Sequence, residues 1–155
     1  MIIEEHRKTS GGIVQGCKHT TLLLNHRERN RVALECVGRL RSVEFSSIVV
    51  CGTSGLLVGP TISEILNKNL IIVRKKGEKR YSAFHIEGAP PSDYVVVDDL
   101  VCSGSTIRHI IKNIREEYPR SKCKGIYCYI QEDCAYSKVP ELFEREYGIK
   151  YLNPL

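Results

Sequence analysis

Short apolar runs recur along the second two-thirds of the chain: Ile48–Cys51, Leu70–Val73, Val95–Val97 and Gly125–Ile130. None of them alternates with polar residues. A strand wetted on one face alternates, so runs without alternation belong to strands covered on both faces. Between the runs the apolar spacing changes to a helical period. Val58, Ile62 and Ile65 follow the first run, and Ile107, Ile110, Ile111 and Ile114 follow the third, with Pro119 as a stop. Val139, Leu142 and Phe143 mark a last helix ended by Gly148, and Ile149–Leu152 offers a final strand. Buried strands alternating with amphipathic helices predict an α/β domain with a parallel sheet between helical layers.

A length of 155 residues suits one domain, and no repeat or low-complexity tract divides it. Ahead of the core, Gly11–Leu24 mixes glycine with β-favouring residues and predicts a short hairpin or irregular strand pair. Asn25 and Glu28 resemble a capping box, and Ala33, Cys36, Val37 and Leu40 then trace one helical face. Arg27, Arg29, Arg31, Arg39 and Arg41 fall largely off that stripe.

Composition excludes several classes. The longest apolar run, Ile126–Ile130, is far short of the about 20 residues of a membrane span. The opening MIIEEHRKTS has two glutamates and no apolar stretch, which predicts no secretory signal. Seven cysteines without a CxxC pair argue against a disulfide framework or zinc knuckle, and for reduced thiols in a cytoplasm. A formal charge of +5 permits an anionic ligand such as a phosphate ester. It falls short of the basicity of a dedicated nucleic-acid binder.

The most informative segment is YVVVDDLVCSGSTI, Tyr94–Ile107. A buried strand delivers Asp98 and Asp99 to its carboxyl end, a loop follows, and Gly104-Ser105-Thr106 opens a helix. Exposed amides at a helix start favour an anion, and glycine allows close approach. Ser103, Ser105 and Thr106 add hydroxyl donors. Two carboxylates repel a phosphate but can accept from vicinal hydroxyls, or help hold a Mg²⁺ that bridges to a second phosphate. Phosphate donors beside diol acceptors describe a ribose 5-phosphate. A DD pair alone would be an ordinary strand-end turn; the complete strand–DD–loop–GST–helix order argues for the site.

This stretch resembles the signature of the type I phosphoribosyltransferases, which bind 5-phosphoribosyl-1-pyrophosphate (PRPP). The match runs through four apolar residues, two acids, four variable positions and Gly-x-Thr, and is most similar to the adenine and orotate branches. The resemblance implies a Rossmann-like central parallel sheet flanked by helices, with a small hood built from about 1–24 and 131–155. It implies that Asp98 and Asp99 bind the ribose hydroxyls and help hold Mg²⁺. Cys102, Ser103, Gly104, Ser105 and Thr106 would cradle the 5′-phosphate.

Two further segments fit that resemblance. Gly52–Pro60 follows the first core strand, where the family keeps a pyrophosphate loop, and Gly55, Gly59 and Pro60 resemble its Gly-x-x-x-Gly-Pro. Thr53, Ser54 and Gly55 would contact pyrophosphate, although Ser54 stands where adenine-type enzymes usually carry arginine. The run Arg74–Arg80 holds five basic residues in seven. Such runs are usually solvated loops. This one begins at a strand tip on the carboxyl edge, where open α/β folds bind ligands. It resembles the opening of the family's mobile loop, with Arg74 reaching pyrophosphate and Lys75 or Lys76 assisting. Glu87, near the loop's end, is similar in position to a catalytic glutamate, and His85 to a loop histidine. His109 reads as a helix-face residue rather than a catalyst.

The implied activity is transfer of 5-phosphoribosyl from Mg-PRPP to a nitrogenous base, a purine being favoured, with release of pyrophosphate. A cytoplasmic homodimer is implied as well. Two alternatives stand beside it: a PRPP-sensing regulatory or RNA-binding protein on the same fold, and an interaction domain that has lost the reaction.

Overall fold

The computed structural model describes residues 4–9, 12–75, 77, 83–101, 103–130 and 139–153. An antiparallel pair, β1 (Glu4–Thr9) and β2 (Gly12–Cys17), precedes helices α1 (Lys18–Leu24) and α2 (His26–Leu40). The expected hairpin over Gly11–Leu24 is therefore corrected: the pair starts earlier, and its second half is a helix. Asn25 caps α2, its side chain accepting from the Arg27 and Glu28 amides at 2.9 and 3.4 Å. Glu28 does not complete a capping box and instead pairs with Arg31 at 3.1 Å.

The core is a five-stranded sheet in the order β5-β4-β3-β6-β7. Its strands are β3 (Ser47–Cys51), β4 (Asn69–Val73), β5 (Ile86–Glu87), β6 (Asp93–Asp98) and β7 (Lys122–Cys128). All neighbours are parallel except the β5 edge, which runs antiparallel to β4. Helix α3 (Gly52–Leu66) joins β3 to β4, α4 (Ser105–Glu117) joins β6 to β7, and α5 (Val139–Tyr147) follows. Ile149–Leu152 adds only a bridge, Tyr151 to Ile126.

Alternate residues of each strand face opposite layers, which explains the unbroken apolar runs. Ile48, Val50, Val95, Val97 and Tyr127 pack with α1, α2 and α3. Val49, Cys51, Tyr94, Val96, Ile126 and Cys128 pack with α4 and α5. The predicted stripe of α4 is buried throughout. On α3, Val58 and Ile62 are buried but Ile65 is exposed, because Leu66 rather than Ile65 turns to the core in the last turn.

Sequential strands leave the centre in opposite directions: β3 leads through α3 to β4, and β6 leads through α4 to β7. The crevice between the carboxyl ends of β3 and β6 is thus a topological switch point, where α/β sheets hold ligands.

Helix α3 lies tight on β3. A β-carbon at Gly55 would sit 2.8 Å from the Val50 β-carbon, and one at Gly59 3.0 Å from a Val50 methyl. Gly38, in the exposed middle of α2, has nothing within 4 Å. The two glycines therefore predict opposite signs. Gly55→Ala should destabilise by about 1–3 kcal/mol through overpacking. Gly38→Ala should stabilise by about 0.5–1 kcal/mol through backbone entropy. Urea unfolding of both variants checks the pair.

Candidate ligand site at the carboxyl edge of the sheet

The tips of β3 and β4 and the start of α4 border an open pocket of about 280 Å³ lined by Cys51, Lys75, Ser105, Thr106 and His109. Ser105 and Thr106 lie in the first turn of α4. Gly104 occupies the N-cap with φ 74° and has no side chain of its own to cap the helix. A β-carbon at Gly104 would also lie 2.7 Å from the Phe143 ring, so both conformation and space require glycine there. The Ser103 hydroxyl donates to the Ser105 hydroxyl at 3.0 Å and accepts from its amide at 3.3 Å. Arg108 braces the loop from behind. It donates to the Ser103 carbonyl at 2.9 Å, pairs with Glu146 at 3.3 Å and stacks over Phe143. Hydroxyls and a helix N-terminus facing one cavity make an anion site.

On the β6 side, Asp98 is buried, with 4% of its surface exposed, while Asp99 is half-buried. The Asp99 amide donates to the Asp98 carboxylate at 3.0 Å, and the Leu100 amide to the Asp99 carboxylate at 2.8 Å. Burial, and secondarily the Asp99 charge, push the Asp98 carboxyl up to about 8, with Lys75 opposing. Beside the pair lies the buried Tyr129 hydroxyl, with the Ser54 side chain as its polar neighbour. Burial and the two aspartates raise its pKa, with Ser54 opposing. A raised carboxyl at a pocket's edge suits a ligand that brings its own donors. Among the described residues no third metal-type ligand joins the aspartates. That fits Mg²⁺ held partly by ligand oxygens and water, not a protein cage.

The sequence-predicted residues divide into groups. Asp98, Asp99, Ser103, Gly104, Ser105, Thr106 and Lys75 gather at the switch point. Thr53 and Ser54 sit in the first turn of α3 rather than on a separate loop, because the helix begins at Gly52. Gly55 is a packing residue against Val50. Arg74 and Glu87 pair with each other: the guanidinium donates to both carboxylate oxygens at 3.2 and 3.0 Å. Glu87 belongs to edge strand β5, opposite Ile72 of β4. His85 is exposed, and its carbonyl accepts from the Arg74 amide at 2.9 Å. Cys102 and Lys76 lie outside the described residues, as does the hood stretch 131–138.

Sequence reasoning missed Cys51, His109 and Tyr129 as site residues. His109 follows Ser105 by four positions, the spacing that sets both on one helix face. That signal was available. Tyr129 carried none, since it lies within an apolar run.

No family model matches the chain. Over 113 residues it is 27% identical to an adenine phosphoribosyltransferase of Caldicellulosiruptor saccharolyticus, covering 62% of this chain and 65% of that one. A hypoxanthine/guanine phosphoribosyltransferase of Methanopyrus kandleri is 32% identical over 52% of this chain and 50% of its own length. The transcriptional regulator GfcR of Methanocaldococcus jannaschii is 30% identical over 49% of this chain and 40% of its own. The orotate phosphoribosyltransferase structure from Aeropyrum pernix superposes with a TM-score of 0.67 at 22% identity, covering 97% of this chain and 84% of that one. This chain has the type I phosphoribosyltransferase fold. The resemblance read from the signature holds in sequence and in backbone, and the signature's aspartates and glycine stand at the switch point of that fold.

The raised Asp98 carboxyl makes a test independent of any ligand. Its ordinary value is 3.8 and its value here about 8. Between the two the folded state holds a proton that the unfolded chain has released, so this group's contribution to stability falls as pH rises. Asp98→Asn keeps an acceptor for the Asp99 amide and removes the titration. Its melting temperature relative to the parent should climb across that pH range and level off above it, as thermal melts at several pH values would reveal.

Proposed function

We propose that this chain is a PRPP-dependent phosphoribosyltransferase that transfers 5-phosphoribosyl to a nitrogenous base, a purine being favoured, and releases pyrophosphate. The observation that carries this reading is the meeting, at one switch point, of the α4 helix start bearing Ser105 and Thr106 with the Asp98–Asp99 pair. Donors and diol acceptors at one switch point suit a phosphorylated pentose. The purine relatives favour a purine acceptor.

In this reading Asp98 and Asp99 accept hydrogen bonds from the ribose hydroxyls. Ser103, Ser105, Thr106 and the first amides of α4, with Gly104 leaving room, hold the 5′-phosphate. Lys75 and the α3 start at Thr53 and Ser54 face the pyrophosphate. Asp98 and Asp99 would also help hold Mg²⁺, which supplies charge neutralisation of the leaving group when bound. Cleavage of a glycosyl bond passes through an oxocarbenium-like state. The residues therefore need only orient the pentose and accommodate the departing charge while the base attacks from the opposite face. For Glu87 to manage the base proton, or Arg74 to reach pyrophosphate, the pair they form must open.

A second reading has its own support. The similarity to a transcriptional regulator, and Ser54 in place of a loop arginine, favour a PRPP sensor without turnover. An RNA-binding face on α2 has less support. Arg31 is tied to Glu28 and Glu35 at 3.1 and 3.3 Å, and Arg29 donates to the Leu23 carbonyl at 3.1 Å.

A panel of free bases with Mg-PRPP, scored by pyrophosphate release and nucleotide product, separates the readings. Transfer to a purine is expected. Asp98→Asn and Asp99→Asn should each cut turnover about 10–100-fold, the loss of a charged hydrogen bond, with cooperative melting intact. Binding of PRPP with no base-dependent release would select the sensor, and unaltered kinetics in both variants would remove the aspartates from the site.

A further inference from the structure

Strand β4 ends at Val73, and the chain continues through Arg74 to Lys75 at the pocket. Residue 74 is nevertheless fixed at three points. Its amide donates to the His85 carbonyl at 2.9 Å, its guanidinium grips Glu87 at 3.0 Å, and its carbonyl meets His109 Nε2 at 2.8 Å. The first two contacts come from the β5 edge. The third comes from α4, the helix whose first turn forms the anion wall.

A carbonyl oxygen can only accept, so His109 Nε2 carries the proton and Nδ1 is left with a lone pair. That lone pair faces the Asn113 side-chain amide at 3.2 Å, which also donates to the His109 carbonyl at 2.7 Å. Both ring nitrogens are thus engaged, and the imidazole lining the pocket is not disposed for acid–base work. What it does hold is the peptide that leads into Lys75. The Lys75 stem lies over Gly52, where a β-carbon would come within 2.7 Å of Cε and 3.0 Å of the ammonium. Gly52 has φ 76° and leaves just the space that stem fills.

We propose that His109 is a positioning residue that, by holding the Arg74 carbonyl, sets the Lys75 ammonium over Gly52 and so fixes the cation of the anion pocket. Asn113 selects the tautomer that makes this possible. The pocket's role as an anion site rests on the reading above; the placement of Lys75 does not, and the two can fail separately.

The experiment uses the full chain with His109→Phe, His109→Gln, Lys75→Met and the His109→Phe/Lys75→Met double variant. Inorganic pyrophosphate is titrated calorimetrically into each, with thermal melts as the control for folding. His109→Phe keeps the ring but not the donor, and should weaken pyrophosphate about fivefold, the scale of one exposed charge contact. The double variant should bind no worse than Lys75→Met alone, because His109 acts through Lys75. His109→Gln restores a donor of similar reach and should bind within about twofold of the parent, well inside one hydrogen bond. Additive losses, or equal losses in His109→Gln and His109→Phe, overturn the proposal. A second measurement needs no ligand: acylation of Lys75 in the free protein, followed by peptide mass spectrometry against exposed Lys112. Faster labelling in His109→Phe but not in His109→Gln is expected, even if pyrophosphate binds none of the proteins. Unchanged labelling in His109→Phe overturns the proposal, and if that variant does not fold, Asn113→Ala provides the same comparison.

Discussion

Burial of a carboxylate at the tip of β6, an interior strand, is the constraint around which this molecule is arranged. Removing an ion from water costs several kcal/mol unless partners replace the solvent. Here the partners are few: the Asp99 amide, the distant help of Lys75, and an adjacent carboxylate that makes matters worse. The position follows from topology. A strand flanked by β3 and β7 and covered by helices on both faces has its end in the crevice, with no open side to lean into. Asp98 is thus held in a state that a ligand with hydroxyl donors or a cation would relieve.

The glycines beside that carboxylate perform two different tasks that look alike in sequence. Gly52 and Gly104 adopt left-handed conformations, and the Lys75 stem and the Phe143 ring occupy the space beside them. Gly55 and Gly59 lie one turn deeper and let α3 settle onto Val50. The second task serves the first, since α3 can start directly at the tip of β3 only if its next turns approach that strand closely. A glycine-rich strand-to-helix junction is consequently both a binding feature and a packing feature, divided by register along the helix.

Legibility in the sequence followed the same physics. Two-faced burial removes the polar residues from a strand, so β3, β4, β6 and β7 announced themselves, and α4 did so through four buried isoleucines. The signature was readable because strand, acids, loop and helix start are contiguous. Contacts between distant segments were not readable. Nothing local marks Arg74 and Glu87, thirteen positions apart, as partners rather than separate catalysts; their meeting depends on β5 turning back along β4. Ile65 looked like core because its spacing was right, yet its neighbour Leu66 takes the core position in that turn. The opening segment failed for a different reason. A helix as short as α1 carries too few turns to display a period, and propensity alone does not separate it from the strands before it.

The distribution of positive charge bears most directly on what the site can do. Arg74 spends its guanidinium on Glu87, Arg108 spends its own on Ser103 and Glu146, and Ser54 contributes none. Among the described residues that line the pocket, Lys75 is the cationic side chain. On the proposed function, gripping a phosphorylated pentose in its ground state would need the diol acceptors and the helix start. Expelling pyrophosphate would need stabilisation of charge that develops only as the bond breaks. That demand would fall on Lys75, on Mg²⁺ when bound, and on whatever opens the Arg74–Glu87 pair. Binding and turnover would then draw on different residues, and a chain could keep the first while varying the second by changing how firmly one peptide, residue 74 to residue 75, is held.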